Sequence, residues 1–208
     1  MPRSGPRTRE KLLDAAEAMV NEDGFAATSI DRIIDRVGLT KGSFFYHFKT
    51  KNDLARALID RFAAADQRIL RDSMARAEKL GEDPLQQLLI FVGLLLEVAE
   101  TLDQDPRPGC LFATYCYESG LFDEATHAVI SDAMLNWRRI LGEKLRAAAE
   151  RHPPRVEVDV DSLADMMTVV FEGAFVMARC IKGPQHFAHQ IRHYRNYLRL
   201  LFSDGDVG

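Results

Sequence analysis

Cysteine is scarce in this chain, tryptophan occurs once, and no strand pattern persists. The three cysteines, Cys110, Cys116 and Cys180, are odd in number and form no Cys-x-x-Cys pair. Neither a disulfide framework nor a zinc site is therefore expected. The longest uncharged apolar stretch, Pro84 to Leu96, falls well short of the roughly 18–20 residues a membrane-spanning helix needs. The basic start Met1-Pro2-Arg3-Ser4-Gly5-Pro6-Arg7 is followed by no apolar run, which argues against a secretory signal. The expectation is a soluble, cytoplasmic chain with no membrane partner. Missing too are a Gly-x-Ser-x-Gly elbow, a phosphate-cradling glycine loop and a metal quartet, so neither an enzyme nor a cofactor is expected.

What is present is material for a helical core. The 208 residues are 47% hydrophobic, enough to exclude general disorder. The only alternating fragment, Val156-Glu157-Val158-Asp159-Val160, is too short to build a sheet. Elsewhere apolar residues recur every three or four positions, the period of helices. Helices are expected over about 8–21, from a Thr28 cap with Asp31 to Val37, over 41–46, and from a Thr50 cap to Leu80. Others should cover 84–102, 124–151, 161–182 and 186–202, with a short one over 110–118 and Gln104–Gly109 and Gly183-Pro184 as breaks. The fold class is all-α with about nine helices: a short-helix module over residues 1–50, then a long-helix bundle over 51–208.

Charge is uneven between the two parts. The net charge is −4, but residues 1–51 carry nine Lys/Arg against seven Asp/Glu, and nothing acidic lies between Val37 and Lys51. An acidic protein can present one basic face, because contact with phosphates depends on local charge. A nucleoid-type protein that binds DNA without effector control is disfavoured, since the acidic remainder would be superfluous there.

Within that basic window lies Thr28-Ser29-Ile30-Asp31-Arg32-Ile33-Ile34-Asp35-Arg36-Val37-Gly38-Leu39-Thr40-Lys41-Gly42-Ser43-Phe44-Phe45-Tyr46-His47-Phe48-Lys49-Thr50-Lys51. Two short helices joined by a tight glycine turn make a helix-turn-helix. The second starts with Thr40, Lys41, Gly42 and Ser43, small or basic residues where a recognition helix meets base edges and phosphates. Gly42 costs a helix about 1 kcal/mol relative to Ala, a cost that makes sense where DNA must approach the backbone. Phe44 and Phe48, four apart, should pack inward. The tail residues Arg3, Arg7, Arg9 and Lys11 are read either as a minor-groove arm or as a solvated terminus.

This segment, from about Thr8 to Leu58, resembles the DNA-binding module of the TetR family of transcriptional regulators. The resemblance implies a DNA-binding domain over 1–50 and a helical effector-binding and dimerisation domain over 51–208. It implies a ligand-responsive regulator, most simply a repressor, released from a palindromic operator by a small apolar or aromatic effector. Residue by residue, Thr28 and Lys51 would contact phosphates, and Thr40 would cap the recognition helix near one. Lys41, Gly42 and Ser43 would face bases; Tyr46 and His47 would touch backbone or bases. The family often has Tyr where this chain has Phe45, so that contact is lost or becomes apolar.

The remainder carries weaker signals. The helix around Leu163–Ile181 is apolar nearly all round, and Gly173, Ala174 and Ala178 would admit another helix closely. With Phe187, Ile191, Tyr194, Leu198 and Leu201 of the last helix, these residues serve a homodimer interface, as the resemblance implies, or the chain's own core. Phe91, Leu95, Phe112, Tyr115, Met134, Trp137, Phe171 and Phe175 are expected walls of an effector cavity, or core. Cys110, opening a short helix, is read as a redox- or electrophile-sensing thiol or as a small buried hydrophobe. His186, His189 and His193 share a face that could hold a metal; a dimer-surface role is the alternative, and no metal is expected.

Overall fold

A computed structural model describes residues 5–104, 109–181 and 185–203. Arg3, most of the loop before Gly109, and Gly183-Pro184 lie outside the described residues. Among those described there are nine α-helices, a short 3-10 turn at Ser119–Leu121, and no strand. The helices are α1 (Gly5–Asp23), α2 (Ile30–Val37), α3 (Lys41–His47), α4 (Lys51–Leu80), α5 (Pro84–Leu102), α6 (Leu111–Tyr117), α7 (Glu124–Arg151), α8 (Val160–Cys180) and α9 (His186–Leu201). Because α1 begins at Gly5, Arg7, Arg9 and Lys11 are helical.

Local chemistry explains the boundaries. Thr50 Oγ1 accepts from the Asp53 amide while Asp53 accepts from the Thr50 amide, a reciprocal cap that starts α4. Asp83 caps α5, accepting from the amides of Leu85 and Gln86, with Pro84 in its first turn. The cap of α2 is Ser29, whose side chain accepts from the Arg32 amide. Thr28, expected to cap, is instead 1% exposed and donates its hydroxyl to Gly24 O at 2.8 Å. The β-like fragment at 156–160 forms no strand; it leads into the Asp159 cap of α8.

The chain divides into two compact units. The first comprises residues up to 65 together with 109–131, and the second 66–108 with 132–208. In the first, Leu12, Leu13, Ala16, Met19 and Val20 of α1 are buried, and α1 packs on α2 of the helix-turn-helix. Arg61 of α4 binds Glu10, Asp14 and Glu17 of α1. Segment 109–131 belongs here as well, with α6 packed on α1. Tyr115 stacks on Phe122 at 4.0 Å and donates its hydroxyl to Ala55 O.

In the second unit α9 packs against α5 and α8. Phe91, Val92, Leu95, Leu141, Leu145, Met167, Ile191 and Leu198 share one core cluster. Helix α5 carries the apolar stretch that begins at Pro84 on to Leu102. Its 19 residues are long and apolar enough, by length and composition, to cross a bilayer, because Glu97 and Glu100 are the only charges that interrupt it. It is also a core helix, burying Leu88, Phe91, Val92, Leu94, Leu95 and Ala99.

Candidate nucleic-acid interface

The turn between α2 and α3 is built on Gly38, in the left-handed region at φ 67°, where a side chain would be strained. Its amide and that of Leu39 return to the last carbonyls of α2, which closes that helix. Thr40 then caps α3 by accepting from the Ser43 amide at 3.2 Å. Phe44 and Phe48 are buried and hold α3 from beneath, as their spacing predicted. The other side of α3 is left outward: Lys41, Gly42, Phe45 and Tyr46 are exposed, Tyr46 by 72% and Phe45 by 42%. Two adjacent aromatics are thus left open on the outward side of α3.

Gly42 is informative for what does not surround it. A Cβ there would meet nothing nearer than Thr40 Oγ1 at 3.8 Å, and its φ is ordinary. The protein's own packing therefore does not require glycine at this position, whereas a close approach from outside would.

Two expected phosphate contacts point inward. Thr28 is buried, as described above. Lys51 donates to Phe25 O at 2.6 Å and lies over the Phe25 ring at 4.1 Å; burial lowers its pKa, opposed by the charge of Glu118. Both residues brace the loop between α1 and α2. Glu118, from the far side of the sequence, accepts from the Phe25 amide at 2.8 Å and the Ala26 amide at 3.2 Å. Sequence reasoning missed Glu118; no local pattern marks a contact across 93 residues.

Charge on this face is also less one-sided than the sequence window implied. Lys41 Nζ sits 2.8 Å from Asp31 of α2, and its pKa is raised by that hydrogen bond and by the charges of Asp31 and Asp35.

The expected effector residues fall into both units. Phe112 and Tyr115 are buried in the first, Phe112 edge-on to Phe62 at 4.8 Å. In the second, Phe91, Leu95 and Trp137 are core, with Phe171 and Phe175 packed against it and Met134 half-buried. Trp137 is 8% exposed and donates its indole N–H to Asp66 Oδ2 at 2.8 Å. Gln67 donates to the same oxygen, and burial pushes the Asp66 carboxyl up against both hydrogen bonds. Two open clefts of the second unit lie elsewhere: one of about 320 Å³ beside Arg76, Glu97 and Thr101, another of about 530 Å³ beside Asp159, Met166, Val169 and Tyr197.

Cys110 is buried at the start of α6 and makes no side-chain cap. His186 turns to Ile181 O, and no group of three His, Cys, Asp or Glu among the described residues is placed to hold a metal. Ala174, expected to meet a partner helix, is 1% exposed within the chain's own core, as are Phe187, Ile191, Tyr194, Leu198 and Leu201. The outward face of α8 carries Met166, Val169, Gly173, Val176 and Met177, and that of α9 carries Tyr197 and Leu200.

A helix-turn-helix with an open second helix, ahead of a separate all-helical unit, defines a DNA-binding transcriptional regulator rather than an enzyme. The chain belongs to the TetR family. Residues 12–58 match the family of bacterial regulatory proteins of tetR type, and residues 84–194 match the tetracyclin repressor-like C-terminal domain. Among curated relatives, the transcriptional regulator AcuR of Cereibacter sphaeroides is 26% identical over 186 residues, covering 86% of this chain and 80% of AcuR. An HTH-type transcriptional regulator from Lactococcus lactis is 33% identical over 140 residues, 67% of this chain and 69% of its own. In fold, a TetR-family regulator from Agrobacterium tumefaciens superposes with a TM-score of 0.76 at 20% identity, over 96% of this chain and all of that one. Regulators of the family are generally repressors.

Proposed function

We propose that the chain is a ligand-responsive repressor that binds a palindromic operator as a two-fold dimer. DNA enters against α3, where Lys41, Gly42 and Ser43 face bases, Phe45 meets an apolar base edge, and Tyr46 and His47 reach backbone or bases. The observation that carries this reading is Gly42, which no contact of the chain's own requires, set beside the exposed Tyr46. Thr40 holds the start of α3 beside a phosphate. Thr28 and Lys51 contribute mainly by bracing the α1–α2 loop, and their phosphate contacts are made by backbone or after rearrangement.

The dimer uses the exposed apolar faces of α8 and α9, with Val169, Val176 and Leu200 in place of the buried Ala174. A two-fold pair of recognition helices reads half-sites about 34–36 Å apart, one turn of DNA. The effector is a small apolar or aromatic molecule taken within the second unit, among Phe91, Leu95, Met134, Trp137, Phe171 and Phe175. It acts by preferring the DNA-incompetent state; a tenfold loss of occupancy needs about 1.4 kcal/mol of preference, and DNA must weaken effector binding equally. Such a regulator works in the cytoplasm, where its operator is.

Selecting a duplex from a randomised library with the purified chain tests the reading. Two chains per palindromic duplex are expected, and small apolar compounds that perturb Trp137 emission should release it. Failure to enrich any sequence would refute the regulator reading; a compound bound equally with and without the duplex would refute the coupling.

A further inference from the structure

Asp31 belongs to α2, yet its carboxylate stands 2.8 Å from the ammonium of Lys41, the first residue of the recognition helix. Asp35, one turn further along α2, adds a second negative charge acting on the same ammonium. The other cations of α2 are held elsewhere: Arg32 pairs with Asp23 and Arg36 with Glu22. Asp31 and Lys41 are both more than half exposed, 62% and 64% by side chain, so their pairing is not imposed by burial. An exposed pair of this kind adds little to folding.

Its consequence is for DNA. A lysine at the mouth of the major groove can serve any phosphate as a point charge, and that contact carries no sequence information. Here Lys41 already has a charged partner. Leaving Asp31 for a phosphate exchanges one ionic contact for another, and it brings the bared carboxylates of Asp31 and Asp35 towards the negative duplex. A base contact bares the same carboxylates, but a guanine edge offers two acceptors, N7 and O6, in fixed geometry, so the exchange is best offset where such an edge stands at the right place.

We infer that Asp31 is a specificity-determining residue: it restrains Lys41 from indiscriminate phosphate contact, so that Lys41 is committed only at the correct base. The inference rests on the proposed reading of Lys41 as a base contact. Asp31 acts through Lys41 and is a positioning residue.

The experiment is a double-mutant cycle with Asp31→Asn, Lys41→Ala and both together, each titrated on a duplex selected by the wild-type chain and on a scrambled duplex, across a salt series. Asp31→Asn should tighten scrambled DNA about three- to tenfold, with a salt slope steeper by roughly one counterion. It should change the selected duplex less, so that the preference ratio falls. In the Lys41→Ala background the same substitution should leave the ratio unaltered. Equal tightening on both duplexes, or an effect of Asp31→Asn that survives without Lys41, would overturn the inference by showing a general charge effect. Loss of preference in Lys41→Ala tests the underlying reading separately. If Lys41→Ala binds both duplexes as the wild type does, that reading fails and the inference with it. Asp31→Ser, which also removes the charge, should reproduce the result of Asp31→Asn.

Discussion

Glu118 accepts a hydrogen bond from the backbone amide of Phe25 at 2.8 Å, tying the segment after α6 to the loop that positions the helix-turn-helix. Gly24 makes room for it. Its φ is +86°, and a Cβ there would lie 2.7 Å from Glu118 Oε1. Hydrogen bonds to a charged acceptor contribute about 1.5–3 kcal/mol, so Glu118→Ala should destabilise the first unit by an amount in that range, discounted for partial exposure. Gly24→Ala should cost at least about 1 kcal/mol from its left-handed backbone alone. Denaturant midpoints check both, and hydrogen exchange should show the Phe25 and Ala26 amides losing protection in Glu118→Ala. Unchanged protection would remove the clasp from the account.

Gly42→Ala should separate stability from binding. Alanine is about 1 kcal/mol better than glycine inside a helix, and here it meets only Thr40 Oγ1 at 3.8 Å. The variant should melt higher than the wild type and bind the selected duplex at least tenfold more weakly. A variant that is both more stable and equally tight would mean that DNA does not approach this backbone.

The outward face of α8 gives a paired test of assembly. Val169→Glu places a charge on a side chain that is 65% exposed, whereas Ala174→Glu places it in a fully packed site. The first should yield folded monomers by sedimentation with collapsed operator affinity; the second should lose its cooperative melt, since an unpaired buried charge is costly. Dimers persisting in Val169→Glu and Val176→Glu would move the interface elsewhere.

Trp137 should report the protonation of Asp66. Burial raises the Asp66 carboxyl above the ordinary value, about 3.9 in an unfolded chain. A raised acid favours the folded state below the unfolded pKa, and that contribution is lost as pH rises through the folded value. At neutral pH the charged form is a burden, so Asp66→Asn should be at least as stable there. Trp137 emission should titrate with a midpoint above about 3.9 in the wild type and stay flat in Asp66→Asn. A wild-type emission flat from pH 7 to 4 would contradict the pairing.

Much of this fold is written in local chemistry. Thr50, Pro84, and Glu124 to Arg151 mark helix ends that the structure keeps, because caps and proline act on adjacent residues. The outer face of α3 was legible for the same reason: Phe44 and Phe48 declare the inside by spacing. What escaped is set by residues distant in sequence. Thr28 and Ser29 are equally good caps in isolation, and only the Gly24 carbonyl, taken by Thr28, decides for Ser29. Lys51 reads as a surface cation until Phe25 and Glu118 are brought beside it. Ala174 and Val169 lie on the same apolar helix, and only the seating of α9 decides which is core.

The most direct test of the central claim is the affinity of the wild type, Lys41→Ala and Tyr46→Ala for a selected duplex and its scrambled counterpart at one salt concentration. The account predicts a wild-type preference of at least about a thousandfold, reduced in both variants while their melting temperatures stay within a few degrees. Wild-type and variant proteins binding both duplexes alike, with the fold intact, would contradict the assignment of α3 as the helix that reads DNA.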